Sequence, residues 1–200
     1  HLSIWNLDGS QNLFNGEGDA RGLGLSPLAY QFLGGIMHSA DCLTAIFNPT
    51  INSYKRINAP RTFSGATWSP SSITYGGNNR THMIRVPDSG RFELRLMDGA
   101  ANAYLMQAAI LACGLDGVAA NRDPGEPLDI NMYELGKDLE GYKQLPRNLL
   151  DALRLLDNSD VLRERMGNNL IDSYVKMKKS QWDDHSSHLT QWERDHTLDC

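Results

Sequence analysis

The spacing of apolar residues predicts a chain built mostly from helices, with short strands at its start and near its middle. Residues 1–5 alternate between polar and apolar types, which is typical of a half-buried strand. Residues 26–47 predict a helix, because a Ser-Pro pair can cap its start and an Asn-Pro pair follows its end. Residues 48–81 carry many prolines and glycines together with aromatic residues, which indicates a long but ordered loop region.

The centre of the chain predicts two strands joined by a tight turn. Residues 82–86 and 91–96 alternate in polarity, and the Pro-Asp-Ser-Gly sequence between them suits a hairpin. In the second strand Arg91, Glu93 and Arg95 share one face, because side chains two positions apart point to the same side. We expect the apolar face to pack on the core and the charged face to line a cleft or meet solvent.

The second half of the chain predicts helices. Residues 101–118 are apolar nearly all round, which is typical of a buried helix. Amphipathic helices are predicted over residues 149–156 and 161–166, and a longer one over residues 169–196. Together the elements predict an α+β fold, an antiparallel sheet backed by helices, in which residues 146–200 form a helical C-terminal segment of the same domain.

The chain opens directly on the predicted strand of residues 1–5, and its first residue is His1 rather than a methionine. Because a strand needs a neighbour that pairs with its backbone, we expect this strand to join a sheet that begins upstream. The sequence therefore predicts a truncated or processed chain.

Composition narrows the class of protein without identifying it. The 200 residues are 40% hydrophobic and 22% charged, as in an ordinary globular domain, and the net charge is −5. This acidic balance argues against nucleic-acid binding, and the longest apolar run, residues 108–113, is too short to span a membrane. The three cysteines are scattered and none forms a CxxC pair, so we expect a reduced, cytoplasmic protein.

Basic residues concentrate between positions 48 and 95, where Glu93 is the only glutamate and Asp88 the only aspartate. Seven basic residues lie in this stretch: Lys55, Arg56, Arg61, Arg80, Arg85, Arg91 and Arg95. The planar guanidinium fork matches phosphate and carboxylate oxygens, so arginines beside one acidic group suit a site for a polyanion and a metal ion. Solvated charges on a strand and its loops are the alternative explanation.

Four motifs, in order along the chain, carry a family resemblance. Residues 48–56 read Asn-Pro-Thr-x-Asn-Ser-Tyr-Lys-Arg, and residues 78–87 begin with Asn-Asn-Arg and end with Ile-Arg-Val-Pro. Residues 91–95 read Arg-x-Glu-x-Arg, and residues 112–118 read Ala-Cys-Gly-Leu-Asp-Gly-Val. In these motifs the chain resembles the glutamine synthetase family over about residues 1–135, while its C-terminal helices fit the family only in general character.

The resemblance implies an ATP-dependent ligase that forms an amide on the γ-carboxylate of L-glutamate. In such an enzyme the γ-carboxylate takes the γ-phosphate of ATP, and ammonia then displaces phosphate from the γ-glutamyl phosphate. The resemblance also implies Mg²⁺ or Mn²⁺ as cofactor, and a ring-shaped, dodecamer-type homo-oligomer in which a neighbouring subunit completes each site. Arginines and metal ions would offset the negative charge on the reacting groups.

The resemblance assigns roles residue by residue, onto the positions that match the family's motifs. It assigns ATP binding to His1, Ser3, Arg80 and Arg85, glutamate binding to Arg56, Arg80 and Arg95, catalysis to Arg56 and Arg95, and metal binding to Glu93. Because Glu93 and Arg95 lie two positions apart on a predicted strand, their side chains should face the same side. The four arginines and Glu93 are therefore expected to meet on one wall of a pocket.

Two departures from the family pattern leave alternatives open. The family's metal-binding histidine and its other metal-ligand glutamates would lie upstream of His1, so Glu93 alone makes a poor cation site and this piece alone is expected to be inactive. Residues 57–62 differ from the loop of the common bacterial enzymes, and no glutamate occurs between Arg56 and Glu93. This pattern resembles the branch that contains γ-glutamylmethylamide synthetases, so methylamine or another small amine is an alternative acceptor. A non-catalytic structural relative is a second alternative.

Three further candidates have a structural explanation beside the functional one. Tyr133 falls where some bacterial members carry an adenylylated tyrosine, although an ordinary exposed loop residue is the favoured interpretation. His185 and His188 could share a metal ion at their helical spacing, but packing or capping is favoured for them. Cys42 shows no local sign of activation and is expected in a helix core.

Overall fold

The computed structural model describes residues 1–57, 69–135 and 140–198, and helices make up most of its regular structure. Its strands are β1 (Tyr75–Gly76), β2 (Ile84–Asp88) and β3 (Arg91–Leu94). Its helices are α1 (Pro27–His38), α2 (Ala40–Phe47), α3 (Ser53–Ile57), α4 (Ala103–Ala119), α5 (Met132–Leu135), α6 (Leu149–Asp157), α7 (Asp160–Met166), α8 (Asn168–Ser186) and α9 (Gln191–Thr197). The predicted α+β class is confirmed, with helices around one small sheet.

The sheet has the order β1-β2-β3, with β1 parallel and β3 antiparallel to β2. The predicted antiparallel hairpin is therefore present, and β1 adds a parallel edge strand that the sequence pattern did not predict. Arg85 lies directly opposite Glu93 in the antiparallel pair. Directly opposed residues place their side chains on the same face, so the register alone brings these two charges together.

The first residues of the chain lie against β3. Leu2 exchanges two backbone hydrogen bonds with Phe92, at 2.8 Å and 3.1 Å. Trp5 forms a second isolated bridge, with Asn12. In the described part of the chain the strand predicted over residues 1–5 is thus reduced to two bridges, and the first of them places His1 next to β3.

Two predicted helices are each divided in the structure. The helix predicted over residues 26–47 breaks at Ser39, whose φ of −101° and ψ of 6° end α1 before α2 begins. The helix predicted over residues 169–196 ends at Ser186, and α9 begins after Thr190. At the second break the side chains of Ser186 and Ser187 donate hydrogen bonds to the backbone carbonyl oxygens of Asp183 and Asp184, and such bonds compete with a continuous helix. Apolar periodicity does not detect such breaks, because it runs on across them.

A cluster of aromatic rings forms the centre of the core, between α1 and the sheet. The ring centroid of Phe14 lies 5.5 Å from that of Phe92 and 5.5 Å from that of Phe32. All three rings are buried, with at most 1% of their surface exposed. Burying one such side chain contributes about 1.5–3 kcal/mol relative to leaving it in water. The core therefore holds β3 by its apolar face and leaves the charged face of that strand turned outwards.

Helices α1 and α4 cross at two glycines, which lets their backbones touch. A Cβ atom on Gly35 would lie 2.7 Å from the Cα of Gly117, and one on Gly117 would lie 2.6 Å from the Cα of Gly35. The predicted burial of this apolar helix holds for only part of its surface, because Tyr104, Leu111 and Leu115 are 85%, 51% and 50% exposed. Helix α4 packs through its other faces, against α1, α2 and α7.

Helix α6 links the C-terminal helices to α2. Helix α6 lies against α2, and α8 lies against α6 and α7. Tyr174 on α8 also donates a hydrogen bond to the carbonyl oxygen of Ala45 in α2, at 2.7 Å. By contrast, α9 contains no buried residue. None of the described helices combines the length and apolar character needed to cross a lipid bilayer.

Candidate active site

Three segments of the chain bring five of the predicted site residues together. Arg56 lies on the short helix α3, Arg80 in the turn before β2, and Arg85 on β2 itself. Glu93 lies on β3, and Arg95 follows directly after that strand. These five residues are called the arginine wall below.

The carboxylate of Glu93 is the centre of the arginine wall. Its Oε2 lies 3.0 Å from Nη1 of Arg85 and 3.7 Å from Nε of Arg95. Its Oε1 lies 3.9 Å from Nε2 of His1. The side chains of Arg85, Arg95 and Glu93 are 15%, 21% and 25% exposed. Water and salt therefore screen these charges only in part, and each acts on its neighbours more strongly than a surface charge would.

Arg56 is held at the wall by a buried asparagine. Its Nη2 donates to the carbonyl oxygen of Leu96 at 2.6 Å and to Oδ1 of Asn48 at 3.2 Å. The Nδ2 of Asn48 donates to the same carbonyl oxygen at 3.0 Å, and Asn48 is fully buried. Asn48 opens the first of the four motifs, and the family resemblance assigns it no role. Its hydrogen bond to Leu96 depends on the fold, which brings residue 96 beside residue 48.

The charged groups of the arginine wall interact electrostatically. Burial lowers the pKa of the Arg95 guanidinium; Glu93 opposes this change, and the positive charges of Arg85 and Arg80 lower the pKa further. Arg80 therefore belongs to the same electrostatic site, although its side chain is exposed. The four guanidinium groups of the wall outnumber the nearby carboxylates of Glu93 and Asp98, and this positive excess favours the binding of an anion.

Arg56 and Arg95 form the part of the wall where hydrogen bonding is incomplete. Burial lowers the pKa of Arg56, Asp98 opposes that change, and the charge of Arg95 adds to it. In the described part of the chain, two buried guanidinium nitrogens have no hydrogen-bond partner, Nε of Arg56 and Nη1 of Arg95. Leaving a buried donor unpaired costs about 1–3 kcal/mol, more when it is charged. A carboxylate or phosphate oxygen is the ligand that such donors match.

The two residues predicted to bind ATP at the start of the chain have different neighbours. The ring of His1 lies between Glu93 and Arg91, and Nη1 of Arg91 is 3.2 Å from its Nδ1. Ser3 accepts a hydrogen bond from Nε1 of Trp5 at 3.1 Å, and both side chains are exposed. The structure thus brings His1 to the wall, whereas Ser3 contacts a tryptophan of its own segment.

Tyr133 is a neighbour of the wall. It lies on α5, where Oδ1 of Asn131 accepts a hydrogen bond from its backbone N–H at 3.0 Å. Burial is the main cause of the lowered pKa of Arg95, and the Tyr133 phenol is one of the groups that raise it. The tyrosine is therefore close to the predicted glutamate end of the site. Its adenylylation stays a prediction from the resemblance.

The contacts of His185, His188 and Cys42 fit a structural role for each of them. His188 Nδ1 is hydrogen-bonded to the carbonyl oxygen of Asp184 at 2.6 Å, and the ring of His185 lies 6.1 Å from that of Trp182. Burial raises the pKa of the Cys42 thiol, which keeps it protonated and unreactive. Across the described ranges, no three His, Cys, Asp or Glu side chains are grouped so that they could hold a metal ion.

The described residues do not fit a complete divalent-metal site. Glu93 directs Oε2 at two arginines and leaves Oε1, beside His1, for one coordination bond. Mg²⁺ and Mn²⁺ prefer several oxygen ligands in a nearly octahedral arrangement. Glu93 can therefore supply one ligand, and the others would have to come from groups outside the described residues.

The loop predicted to select the amine acceptor follows Arg56. Residues 58–68 lie outside the described residues, and Arg61, one of the seven basic residues noted in the sequence, is among them. Only Ile57 of that loop is described, as the buried last residue of α3. The interpretation based on residues 57–62 therefore stays a prediction.

Comparison with known proteins finds one family along the chain. The model of the glutamine synthetase catalytic domain matches residues 1–197. A glutamine synthetase from Rhizobium leguminosarum bv. phaseoli is 54% identical over 199 residues, which are 100% of this chain and 45% of that protein. A glutamate–methylamine ligase from Methyloversatilis universalis is 45% identical over 196 residues, which are 96% of this chain and 43% of that protein. The chain thus spans less than half the length of these relatives.

Two solved structures share the fold closely. A GmaS–ADP complex is similar to this chain with a TM-score of 0.91 and 58% sequence identity, over 99% of this chain and 45% of that one. A ligand-free GmaS structure is similar with a TM-score of 0.88 and 55% identity, over 99% of this chain and 44% of that one. The helices and the small sheet described above therefore have the arrangement found in those proteins.

Proposed function

This chain belongs to the glutamine synthetase family, and from that membership we propose that it is part of an ATP-dependent ligase that joins L-glutamate to ammonia through a γ-glutamyl phosphate. Because the chain spans 45% of the length of the Rhizobium leguminosarum relative, the activity is proposed for the complete enzyme. Within the described piece, the arginine wall is proposed to hold both anionic substrates.

One observation carries the proposal: Nε of Arg56 and Nη1 of Arg95 are buried donors without a partner in the described part of the chain. Carboxylate oxygens are the acceptors that such donors match, so the γ-carboxylate of glutamate is proposed to pair with Arg95 and the neighbouring part of the substrate with Arg56. Arg80 and Arg85 lie on the same wall and are proposed to bind the ATP phosphates. The acceptor oxygen and the phosphoryl group would then be held side by side, which removes much of the entropic cost of their reaction.

In the proposed first step, a γ-carboxylate oxygen attacks the γ-phosphorus of ATP while the bond to ADP breaks. The guanidinium groups of the wall offset the charge that spreads over the phosphoryl oxygens, and they are already in position. In the second step, ammonia attacks the acyl carbon, phosphate leaves, and the nitrogen loses a proton. Arg95 is proposed to stay on the γ-carboxyl group through both steps, with Arg56 holding the substrate beside it.

A divalent metal ion is also proposed, and one of its ligands lies among the described residues. Members of this family generally depend on ATP and a divalent metal ion. Mg²⁺ or Mn²⁺ is proposed here, with Glu93 as one ligand, and when bound it would neutralise part of the phosphate charge. His1 and Ser3 are proposed to contact the nucleotide.

The place of this chain in the complete enzyme, and the assembly of that enzyme, are proposed as well. Residues 1–200 are proposed to be the C-terminal portion of one catalytic domain, with residues 146–200 as its helical end. The complete enzyme is proposed to be a cytoplasmic, ring-shaped homo-oligomer of the dodecamer type, in which a neighbouring subunit completes each site. An oxygen-ligand set supplied from elsewhere agrees with the incomplete metal site of the described residues.

The test is an assay of the complete enzyme with ATP, Mg²⁺, L-glutamate and ammonia. We expect ADP and the amide to form in equal amounts, and ATP turnover to stop when glutamate is omitted. Replacing ammonia with hydroxylamine should trap the acyl phosphate as a hydroxamate. Nucleotide binding without any glutamate-dependent turnover would instead support the non-catalytic relative.

Synthesis of γ-glutamylmethylamide is the second candidate reaction. The sequence between Arg56 and Glu93 contains no glutamate. Two GmaS structures are 58% and 55% identical to the chain, and a glutamate–methylamine ligase is 45% identical. The ratio of kcat/KM for methylamine to that for ammonia separates the two reactions. A clear preference for methylamine would make this the enzyme's reaction, and a clear preference for ammonia would exclude it.

A further inference from the structure

Arg85 is held by two neighbours, of which only one carries a charge. Its Nη1 donates to Oε2 of Glu93 at 3.0 Å. Its Nε and Nη2 both donate to Oδ1 of Asn78, at 2.9 Å and 2.6 Å. These bonds occupy three of the five N–H groups that an arginine possesses. The orientation of the guanidinium is therefore set from two sides, and within the described ranges two of its N–H groups remain for a ligand.

Asn78 sits in a turn that is itself fixed on both sides. The carbonyl oxygen of Gly77 accepts hydrogen bonds from the N–H of Val86 at 3.2 Å and from that of Asn79 at 2.7 Å. The side-chain amide of Asn79 donates to the carbonyl oxygen of Ile130 at 2.8 Å. Asn78 is thus anchored between β2 and the segment before α5. An anchored acceptor can hold Arg85 in one place, which a side chain on a free loop could not do.

Glu93 alone is poorly suited to this task. Its Oε2 lies near both Arg85 and Arg95, at 3.0 Å and 3.7 Å, and the same carboxylate is proposed to bind a metal ion. If Glu93 also supplied one ligand to a cation, its ion pair with Arg85 would weaken, because the carboxylate charge would be shared among more partners. A second acceptor that has no other cationic partner would keep the guanidinium in position during that change.

We propose that Asn78 is a positioning residue that aims Arg85 at the nucleotide phosphates without cancelling its charge. The inference rests on the proposed function, because it takes the phosphates of ATP as the ligand of Arg85. A neutral amide oxygen forms the same two hydrogen bonds that a carboxylate would form. A carboxylate at position 78 would add a second negative charge beside Glu93 and repel the incoming polyanion.

The experiment uses the complete enzyme with Asn78→Ala and Asn78→Asp, and with Asn169→Ala as a matched control at an exposed asparagine of α8. The probe is ATP with Mg²⁺, whose Kd is measured by calorimetry beside KM for ATP and KM for glutamate. Asn78→Ala should raise the Kd and KM for ATP about 5- to 20-fold, the size expected when hydrogen bonds to a charged group are lost. KM for glutamate, the melting temperature and the control variant should stay close to wild type.

The aspartate variant separates position from charge. It keeps both hydrogen bonds, so a purely geometric role would leave ATP binding as in wild type. We expect weaker ATP binding instead, with a difference from wild type that shrinks as salt is added, because salt screens the added charge.

Each outcome of this experiment decides something. If both Asn78 variants bind ATP with wild-type affinity, the Asn78 inference is overturned and the proposed function still stands. The same holds if KM for ATP and KM for glutamate rise equally. If the unmodified enzyme binds ATP but forms no amide, the proposed function fails while the Asn78 inference is still judged by Kd. If the unmodified enzyme does not bind ATP, both are overturned.

Discussion

Across the part of the chain that the structure describes, polar groups are left without partners in the arginine wall but are satisfied at the C-terminal end of the chain, in α9, which follows α8. In the wall, Nε of Arg56 and Nη1 of Arg95 are buried and have no partner among the described residues. At the start of α9, Thr190 and Glu193 satisfy each other's side chain and backbone in a reciprocal capping box, and that helix buries no residue. Buried guanidinium donors without a partner, grouped at one site, point to an anionic ligand, whereas the exposed helix α9 satisfies its hydrogen bonds locally.

The largest expected effect is at Arg95. Arg95→Lys keeps the positive charge but loses the planar fork that can bridge two oxygens, so kcat/KM for amide formation should fall about 10³-fold. Steady-state kinetics of the complete enzyme measure this, with Arg194→Lys on the exposed α9 as the matched control. A loss of less than tenfold at Arg95, or an equal loss at Arg194, would remove the functional difference between the two regions.

The next effect is on stability, at the buried asparagine behind Arg56. Asn48→Ala removes the amide that bonds both Arg56 and the carbonyl oxygen of Leu96, so the free energy of unfolding should fall by about 1–3 kcal/mol. KM for glutamate should rise as well, since Arg56 loses a support. Urea unfolding checks the stability, and exposed Asn169→Ala should change it by less than about 0.5 kcal/mol. Equal effects at the two asparagines would contradict the comparison.

A smaller effect concerns pH and His82, which is fully buried beside Thr74 with its Nδ1 3.0 Å from the hydroxyl oxygen. Burial lowers the pKa of His82 below the ordinary 6.5, against the influence of the Ile130 backbone and of Asp129. The unfolded chain therefore binds a proton more readily than the folded one, and stability is lost as pH falls below about 6.5. His82→Asn should flatten that dependence in urea unfolding curves recorded at several pH values. An unchanged slope would show that another group titrates.

The smallest effect is expected at the capping box of α9. Thr190→Ala removes a cap that is worth about 1 kcal/mol to its own helix. Because α9 buries no residue, global unfolding and kcat should not change, and only amide exchange within α9 should become faster. A loss of activity in this variant would mean that α9 supports the site and would remove the difference between α9 and the arginine wall.

Much of the wall could be predicted because its chemistry is local in the chain. Alternating polarity and one turn sequence placed Arg85 and Glu93 on paired strands, and the register puts them opposite each other. The parallel strand β1 was not predicted, since its two residues carry no periodicity of their own. The break at Ser39 was also missed, because apolar spacing continues from α1 into α2.

The sequence by itself determined the family, the hairpin and the identity of the charged residues, because these depend on residue types and short spacings. The tertiary structure decided which polar groups support those residues: Asn48 through the carbonyl oxygen of residue 96, and Asn78 through the guanidinium of Arg85. It also decided which donors stay open. A hydrogen bond between distant positions depends on distance and direction in space, and neither is written in the order of residues along a chain.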